Sequence, residues 1–352
     1  MLFWGIMKIV LGQFQELTDE TARFVKQLGV ESVQFNTPLL PGEERWEYED
    51  LLRLRRDCES RGLKLEAIEN VPMRFYDHVM LGLPKRDEQI ENYRTIIRNM
   101  GRAGIPLLGH HFIPTFVWRT SRTVVGRGGA RVTEFDLAVA RKGYNALLEE
   151  ADASREESGN YMIGLAKGAK KENPFVSEKD LWERYRYFMK AVLPVAEEAG
   201  VKLALHPDDP PVPNLGGTDR LIYNAENYKK AMDIASSDAW GVNLCLGCCS
   251  EMEGGAATVL ELVRYFGSRG KIFCVHFRDV QGTVPRFKEC FLGEGNFNPA
   301  EVMRELIRVG YNGIIMDDHV PQIVGDTDWG HRGRAYEVGY LQALMKMAEF
   351  LA

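Results

Sequence analysis

Residues with lone pairs recur in this sequence at one kind of position, the point where a short apolar run stops. "GIIMDDHVP" closes on Asp317, Asp318 and His319, "KLALHP" on His206, "WGVNLCLG" on Cys245 and "KIFCVHFRD" on His276 and Arg278. "LKLEAIEN" closes on Glu69 and "IPLLGHHF" on His110 and His111, so that of seven histidines only His78 and His331 lie elsewhere. Charge at the end of a buried run is costly unless something meets it. Imidazole, thiolate and carboxylate are the donors a divalent cation takes, and His206, Cys245, His276 and Asp318 make a four-ligand metal set. Glu69, His110, His111, Asp208 and Arg278 are candidates for substrate contacts on the same rim. Asp208 and Asp209 of "HPDDPP" also stand where they can orient the His206 ring. Cys248 and Cys249 follow Gly247 and read as small packing residues in a turn. No second cysteine pair at suitable spacing supports a zinc ribbon.

These residues need a scaffold that brings the ends of distant runs together. Eight apolar runs alternate with eight segments of helical periodicity, the arithmetic of a (β/α)8 TIM barrel, whose chemistry sits at the C-terminal ends of its strands. Several of the helical segments open on Thr, Ser or Asn and close on Gly, as helix termini do. No G-x-G-x-x-G opens the first helix, so nothing supports a dinucleotide site. The expectation is one barrel domain over 1–352. Residues 113–174, after the fourth strand, form an insertion with its own helix, "TEFDLAVARKGYNALLEEADA", and with Lys167, Lys170 and Lys171; we read it as a lid on the active face.

Composition narrows the partners. The 352 residues are 45% hydrophobic and 27% charged, which suits an ordinary globular chain with a large core. A net charge of -6 argues against a nucleic-acid surface. The apolar start "MLFWGIMKIVLG" lacks a basic n-region and a cleavage site and is too short to span a bilayer. Six cysteines at no secreted-framework spacing favour a reducing compartment, so the expected location is the cytoplasm, with no membrane partner.

Taken in order, "LEAIENVP", "RDEQIENYRTIIRNMGRAGIPLL", "HHFIPTFVWRT", "LALHPDDPP", "NLCLGCCSE", "CVHFRDV", "FLGEGNFNPAEVMRELIRVGYNG" and "DDH" resemble the mannonate dehydratase family of xylose-isomerase-like barrels. The resemblance runs over nearly the whole chain. It implies a hydro-lyase of hexuronate catabolism that converts D-mannonate or a related aldonate to 2-keto-3-deoxy-D-gluconate. It also implies Mn(II), with Fe(II), Co(II) or Mg(II) as alternatives, a sugar acid as partner, and self-association into a homo-oligomer. His206, Cys245, His276 and Asp318 match the family's ligands, His319 matches its catalytic histidine, and Tyr336, with Tyr340 as the other choice, matches its catalytic tyrosine.

The chain departs from the family at two places. Met316-Asp317-Asp318-His319-Val320-Pro321 stands where the family has Arg-Pro-Asp-His-Gly-Arg, and His110-His111 with Val117 stand in a segment that usually reads Tyr-Asn-Phe-Met-Pro-Val-Phe-Asp-Trp. Arginine forks hold substrate carboxylates, so Arg119, Arg122 or Arg278 must take over that task, or the substrate differs. The alternative function is a sugar isomerase or epimerase on the same scaffold. A sugar-acid binding protein without catalysis would not need the Asp318-His319 pair.

Overall fold

The computed structural model describes residues 7–114, 117–140, 176–215 and 218–351. Its main sheet consists of parallel strands Lys8–Ile9 continuing as Leu11–Phe14, Ser32–Asn36, Lys64–Glu69, Leu107–His110, Lys202–Leu205, Trp240–Cys245, Ile272–His276 and Ile314–Met316. The broken first strand closes the barrel. Lys8 and Ile9 pair with Ile314 and Ile315 of the eighth strand, and Leu11 and Phe14 pair with Val33 and Phe35 of the second. The α/β barrel expected from the alternation of runs is therefore the fold observed.

Outer helices follow each strand, and their ends are where the sequence marks them. Thr18, Ser177 and Asn224 accept hydrogen bonds from Thr21 N, Asp180 N and Asn227 N, and Asn298 caps a helix that opens with Pro299. Gly104 and Gly200 end their helices in the left-handed conformation. The helices Arg86–Ala103 and Glu178–Ala199 cross closely at Gly101, where a Cβ would lie 2.4 Å from the Ala199 carbonyl oxygen.

Strand parity positions the site. Val10, Ala67, Leu107, Ala204, Cys274, Ile314 and Met316 form one buried apolar cluster, the floor of the barrel interior. Successive side chains alternate faces, so residues two positions further along point the same way. Glu69, His206, His276 and Asp318 stand two residues beyond Ala67, Ala204, Cys274 and Met316, and His111 stands four beyond Leu107. The floor residues thus select which polar side chains rise into the mouth.

The insertion contributes a second sheet. Strands Ser121–Val125 and Arg131–Asp136 join Val280–Thr283 and Arg286–Glu289, from the excursion after the seventh strand, in a four-stranded antiparallel arrangement. Trp118, Phe135, Val212, Leu215, Val280 and Phe287 give it a small core of its own. This corrects the helix expected from Thr133 onward: Thr133–Asp136 are strand, because Phe135 and Phe287 pair across it, and residues 137–140 are helical. The remainder of that expected helix, residues 115–116 and 141–174 of the expected lid, and its three lysines lie outside the described residues. Among the described residues no helix is long and apolar enough to cross a membrane.

Candidate metal centre and proton-transfer site

The four sequence-assigned ligands meet at the mouth, all buried. Candidate donor atoms of Cys245, His276 and Asp318 lie within 4.8 Å of one another, and so do those of His206, Cys245 and Cys248. Cys245 joins the two sets. The separations are 3.8 Å from Cys245 Sγ to Asp318 Oδ2 and 3.6 Å from His276 Nδ1 to Asp318 Oδ1. Two ligands bound at about 2.0–2.3 Å to one cation stand at such distances, so these residues fit a divalent metal.

The ring orientations agree with this. His206 Nδ1 donates to the Pro207 carbonyl at 2.7 Å, which leaves the Nε2 lone pair for a ligand. His276 Nε2 faces Glu69 Oε2 at 3.5 Å and Asn243 Nδ2 at 3.0 Å, while its Nδ1 has no hydrogen-bond partner although it is buried. Nδ1 faces Asp318 Oδ1, on the side of the ligand cluster. Against the cost of burial, a hydrogen bond from Cys248 and the charge of Arg278 pull the Cys245 thiol well below its ordinary range. Burial also opposes the Asp318 carboxylate, but His319 and His276 hold it well below the usual value. Both shifts favour the deprotonated forms that bind a cation.

Asp318 reaches this place through strained backbone. Its φ is 62°, in the left-handed region that Asp tolerates better than most residues. Gln13 Nε2 donates to its Oδ1 at 2.9 Å and Arg278 Nε to its Oδ2 at 2.7 Å. Asp317, one residue off by parity, turns to the other face, where Arg334 Nη1 donates to its Oδ2 at 3.1 Å and to the Asp318 carbonyl at 2.9 Å. Asp317 thus serves as an anchor beside the ligand, and one arginine clamps both residues.

His319 is partly exposed at 36%, and its Nδ1 lies 2.7 Å from Glu289 Oε1, with Nε2 3.8 Å from Asp318 Oδ1. Burial lowers the affinity of this imidazole for a proton, yet Asp318 and Glu289 outweigh it and raise its pKa.

Two arginines bind the surrounding acids. Arg278 Nη1 donates to Glu251 Oε1 at 2.8 Å, and its Nη2 to Asp209 Oδ2 at 3.0 Å and Cys248 Sγ at 3.2 Å. Arg119 makes a two-pronged pair with Asp209 and reaches Glu289 Oε1 at 3.1 Å. Burial and the Asp209 carboxylate push Glu251 well up, making it the most easily protonated of these acids. The donors of Arg278, expected to meet substrate, go to protein groups in this structure.

The remaining sequence candidates separate. Glu69 sits centrally, receiving Gln34 Nε2 at 3.1 Å and Asn243 Nδ2 at 3.2 Å, with His111 Nε2 at 4.0 Å. The His111 ring lies 4.4 Å from that of His206, tilted by 40°, whereas parity sends His110 to the opposite face, where neither ring nitrogen has a hydrogen-bond partner and burial lowers its pKa to about 3. Asp208 accepts from Ile222 N at 2.8 Å and so ties down the following loop; burial lifts its pKa to about 6. Tyr336 packs edge-on against Phe291 at 5.3 Å, with the Arg127 guanidinium 5.5 Å from its ring, and no recorded contact among the described residues joins it to His319.

A family model described as D-mannonate dehydratase (UxuA) matches residues 7–350. The mannonate dehydratase of Thermotoga neapolitana is 33% identical over 97% of this chain and 99% of that enzyme. The chain belongs to the D-mannonate dehydratase family. The crystal structure of mannonate dehydratase from Streptococcus suis serotype 2 matches with a TM-score of 0.83 and 30% identity, covering 97% of this chain and 95% of that one. A xylose isomerase domain protein from Planctomyces limnophilus, at TM-score 0.59 and 14% identity over 98% of each chain, shares the barrel fold. Membership makes this protein a hydro-lyase.

Within that family frame, sequence reasoning passed over Gln13, Asn243, Glu251, Glu289 and Arg334. Asn243 was readable by parity, two residues before Cys245 on one strand. Glu289 carries no such signal, because the second sheet that delivers it is assembled from segments about 150 residues apart. Cys248 is also more than loop packing: its N–H meets Cys245 Sγ at 3.4 Å, since Cys245 caps the short helix Leu246–Glu251.

Proposed function

We propose that this hydro-lyase dehydrates D-mannonate, or a closely related aldonate, to 2-keto-3-deoxy-D-gluconate at a divalent metal held by His206, Cys245, His276 and Asp318. The observation that carries the reading is the adjacency of ligand and proton carrier: His319 Nε2 borders the ligand cluster through Asp318 Oδ1 at 3.8 Å. A bound divalent cation, Mn(II) by family resemblance, supplies positive charge where negative charge develops as the C2 proton next to the carboxylate leaves.

The protein's own groups do the rest. Pro207 orients the His206 ring through Nδ1, and Glu69 with Asn243 lines the Nε2 side of His276. Gln13 and Arg278 hold the Asp318 carboxylate in place. His319 takes the C2 proton at Nε2 and hands a proton to the departing C3 hydroxyl, so that water leaves and the enol product becomes the 2-keto acid. Tyr336, which packs against Phe291 and Arg127, is the second proton-transfer candidate, sharing the acid and base tasks with His319. All six cysteines are free and buried, in keeping with the reducing cytoplasm in which we place the enzyme.

Chelator treatment is expected to abolish formation of 2-keto-3-deoxy acid from D-mannonate, and added Mn(II) to restore it. Cys245→Ser and His276→Ala should each purify without metal by elemental analysis. A Cys245→Ser protein as metal-replete as the parent would contradict the ligand set.

A further inference from the structure

We infer that Glu289 is a positioning residue for His319, and that the small antiparallel sheet built from the insertion and the excursion after the seventh strand delivers it to the barrel mouth. The inference rests on the reading of His319 as the proton-transfer group. Glu289 Oε1 lies 2.7 Å from His319 Nδ1. A carboxylate at this distance accepts, so Nδ1 carries the hydrogen and Nε2 is the atom whose proton comes and goes. Nε2 is also the nitrogen on the side of Asp318. An imidazole free to rotate or to switch tautomer would spend much of its time presenting the wrong atom.

Among the described residues His319 has few other restraints. It follows the left-handed Asp318, lies outside regular secondary structure, and its side chain is 36% exposed; its recorded polar contacts are Glu289 and Asp318. Glu289, in contrast, is buried at the end of a paired strand. Its strand Arg286–Glu289 pairs with Val280–Thr283, Val280 opposite Glu289, and with Arg131–Asp136 on the other edge. Phe287 packs on Phe135 at 5.6 Å beneath the Arg119 guanidinium, and Arg119 Nη2 donates to the same Oε1 at 3.1 Å. A rigid element therefore orients a loosely held functional side chain, the arrangement that keeps a proton carrier in one geometry. The insertion, on this account, belongs to the catalytic apparatus through its strand Arg131–Asp136.

The alternative is that Glu289 is only a counter-ion for Arg119. Full-length, Mn(II)-loaded Glu289→Ala and Glu289→Gln separate the two. The alanine variant is expected to lose about 10–100-fold in kcat, the range typical when a partner orienting a functional imidazole is removed, with KM within about twofold of the parent and metal content unchanged. Glutamine keeps an oxygen facing His319 Nδ1 and Arg119, so it should restore most of kcat. In Mg(II)-loaded, 15N-histidine-labelled protein, the His319 ring signals, assigned by their loss in His319→Asn, should report the Nδ1–H tautomer in the parent and a mixture in Glu289→Ala. Parental kcat in Glu289→Ala, no recovery in Glu289→Gln, or an unchanged ring spectrum would each overturn the inference. If instead His319→Asn itself keeps turnover, the reading of His319 fails, and the ring spectra still decide whether Glu289 sets its tautomer.

Discussion

Replacing His319 with Asn is expected to lower kcat on D-mannonate by about 10²–10⁴-fold, the usual contribution of a positioned acid–base group, while bound metal stays at the parental level. The separation of the two readouts follows from geometry. His319 Nε2 stands 3.8 Å from a ligand oxygen, and its other nitrogen is engaged with Glu289, so neither nitrogen is required for the ligand cluster. Asparagine keeps a polar side chain of modest size next to Glu289 but cannot carry a proton. Elemental analysis and steady-state kinetics on the same preparation check both halves. Loss of metal together with activity would move His319 into the ligand set, and parental kcat would place proton transfer elsewhere.

Arg278→Met is expected to destabilise the fold by about 3–5 kcal/mol, the cost of breaking a buried ion pair by removing one partner. The residue is 3% exposed and its guanidinium serves Asp318, Glu251, Asp209 and Cys248 at once. Methionine fills similar space yet leaves the carboxylates of Asp318 and Glu251 short of their strongest donor. The urea midpoint should fall, and metal affinity with it, because the Asp318 carboxylate loses the donor on Oδ2. If Arg278 were the fork for a substrate carboxylate, as its place at the strand ends suggested, the variant would keep its midpoint and raise KM instead. Equilibrium denaturation beside KM decides between these outcomes.

Much of the site was legible because a parallel barrel turns linear order into position. Reading off what ends each apolar run singled out His206, Cys245, His276 and Asp318, which the fold brings together, and two-residue alternation sorts the finer cases: His111 from His110, and Asp318 from Asp317. What could not be read was everything that depends on backbone leaving the strand. The left-handed turn at Asp318, the clamp from Arg334, and the arrival of Glu289 on a second sheet are long-range consequences with no local periodicity. The strand at Arg131–Asp136 illustrates the same limit. Its "RVTEFD" lies beside a segment of helical spacing, and only pairing with Arg286–Glu289 makes it extended. Arginine is a related case: a guanidinium at a strand end looks available to substrate until the buried acids that surround it in space are known.

The central claim is that an aldonate loses water at this metal centre, and the reaction run in deuterium oxide tests it most directly. Metal-loaded enzyme given D-mannonate should yield a product lighter by one water, as a 2-keto-3-deoxy acid carrying one solvent deuterium at C3 where the enol is protonated. A product that keeps all its oxygens and carries deuterium at C2 would contradict the account, because it would mean that the barrel removes the C2 proton only to return it, as an epimerase does.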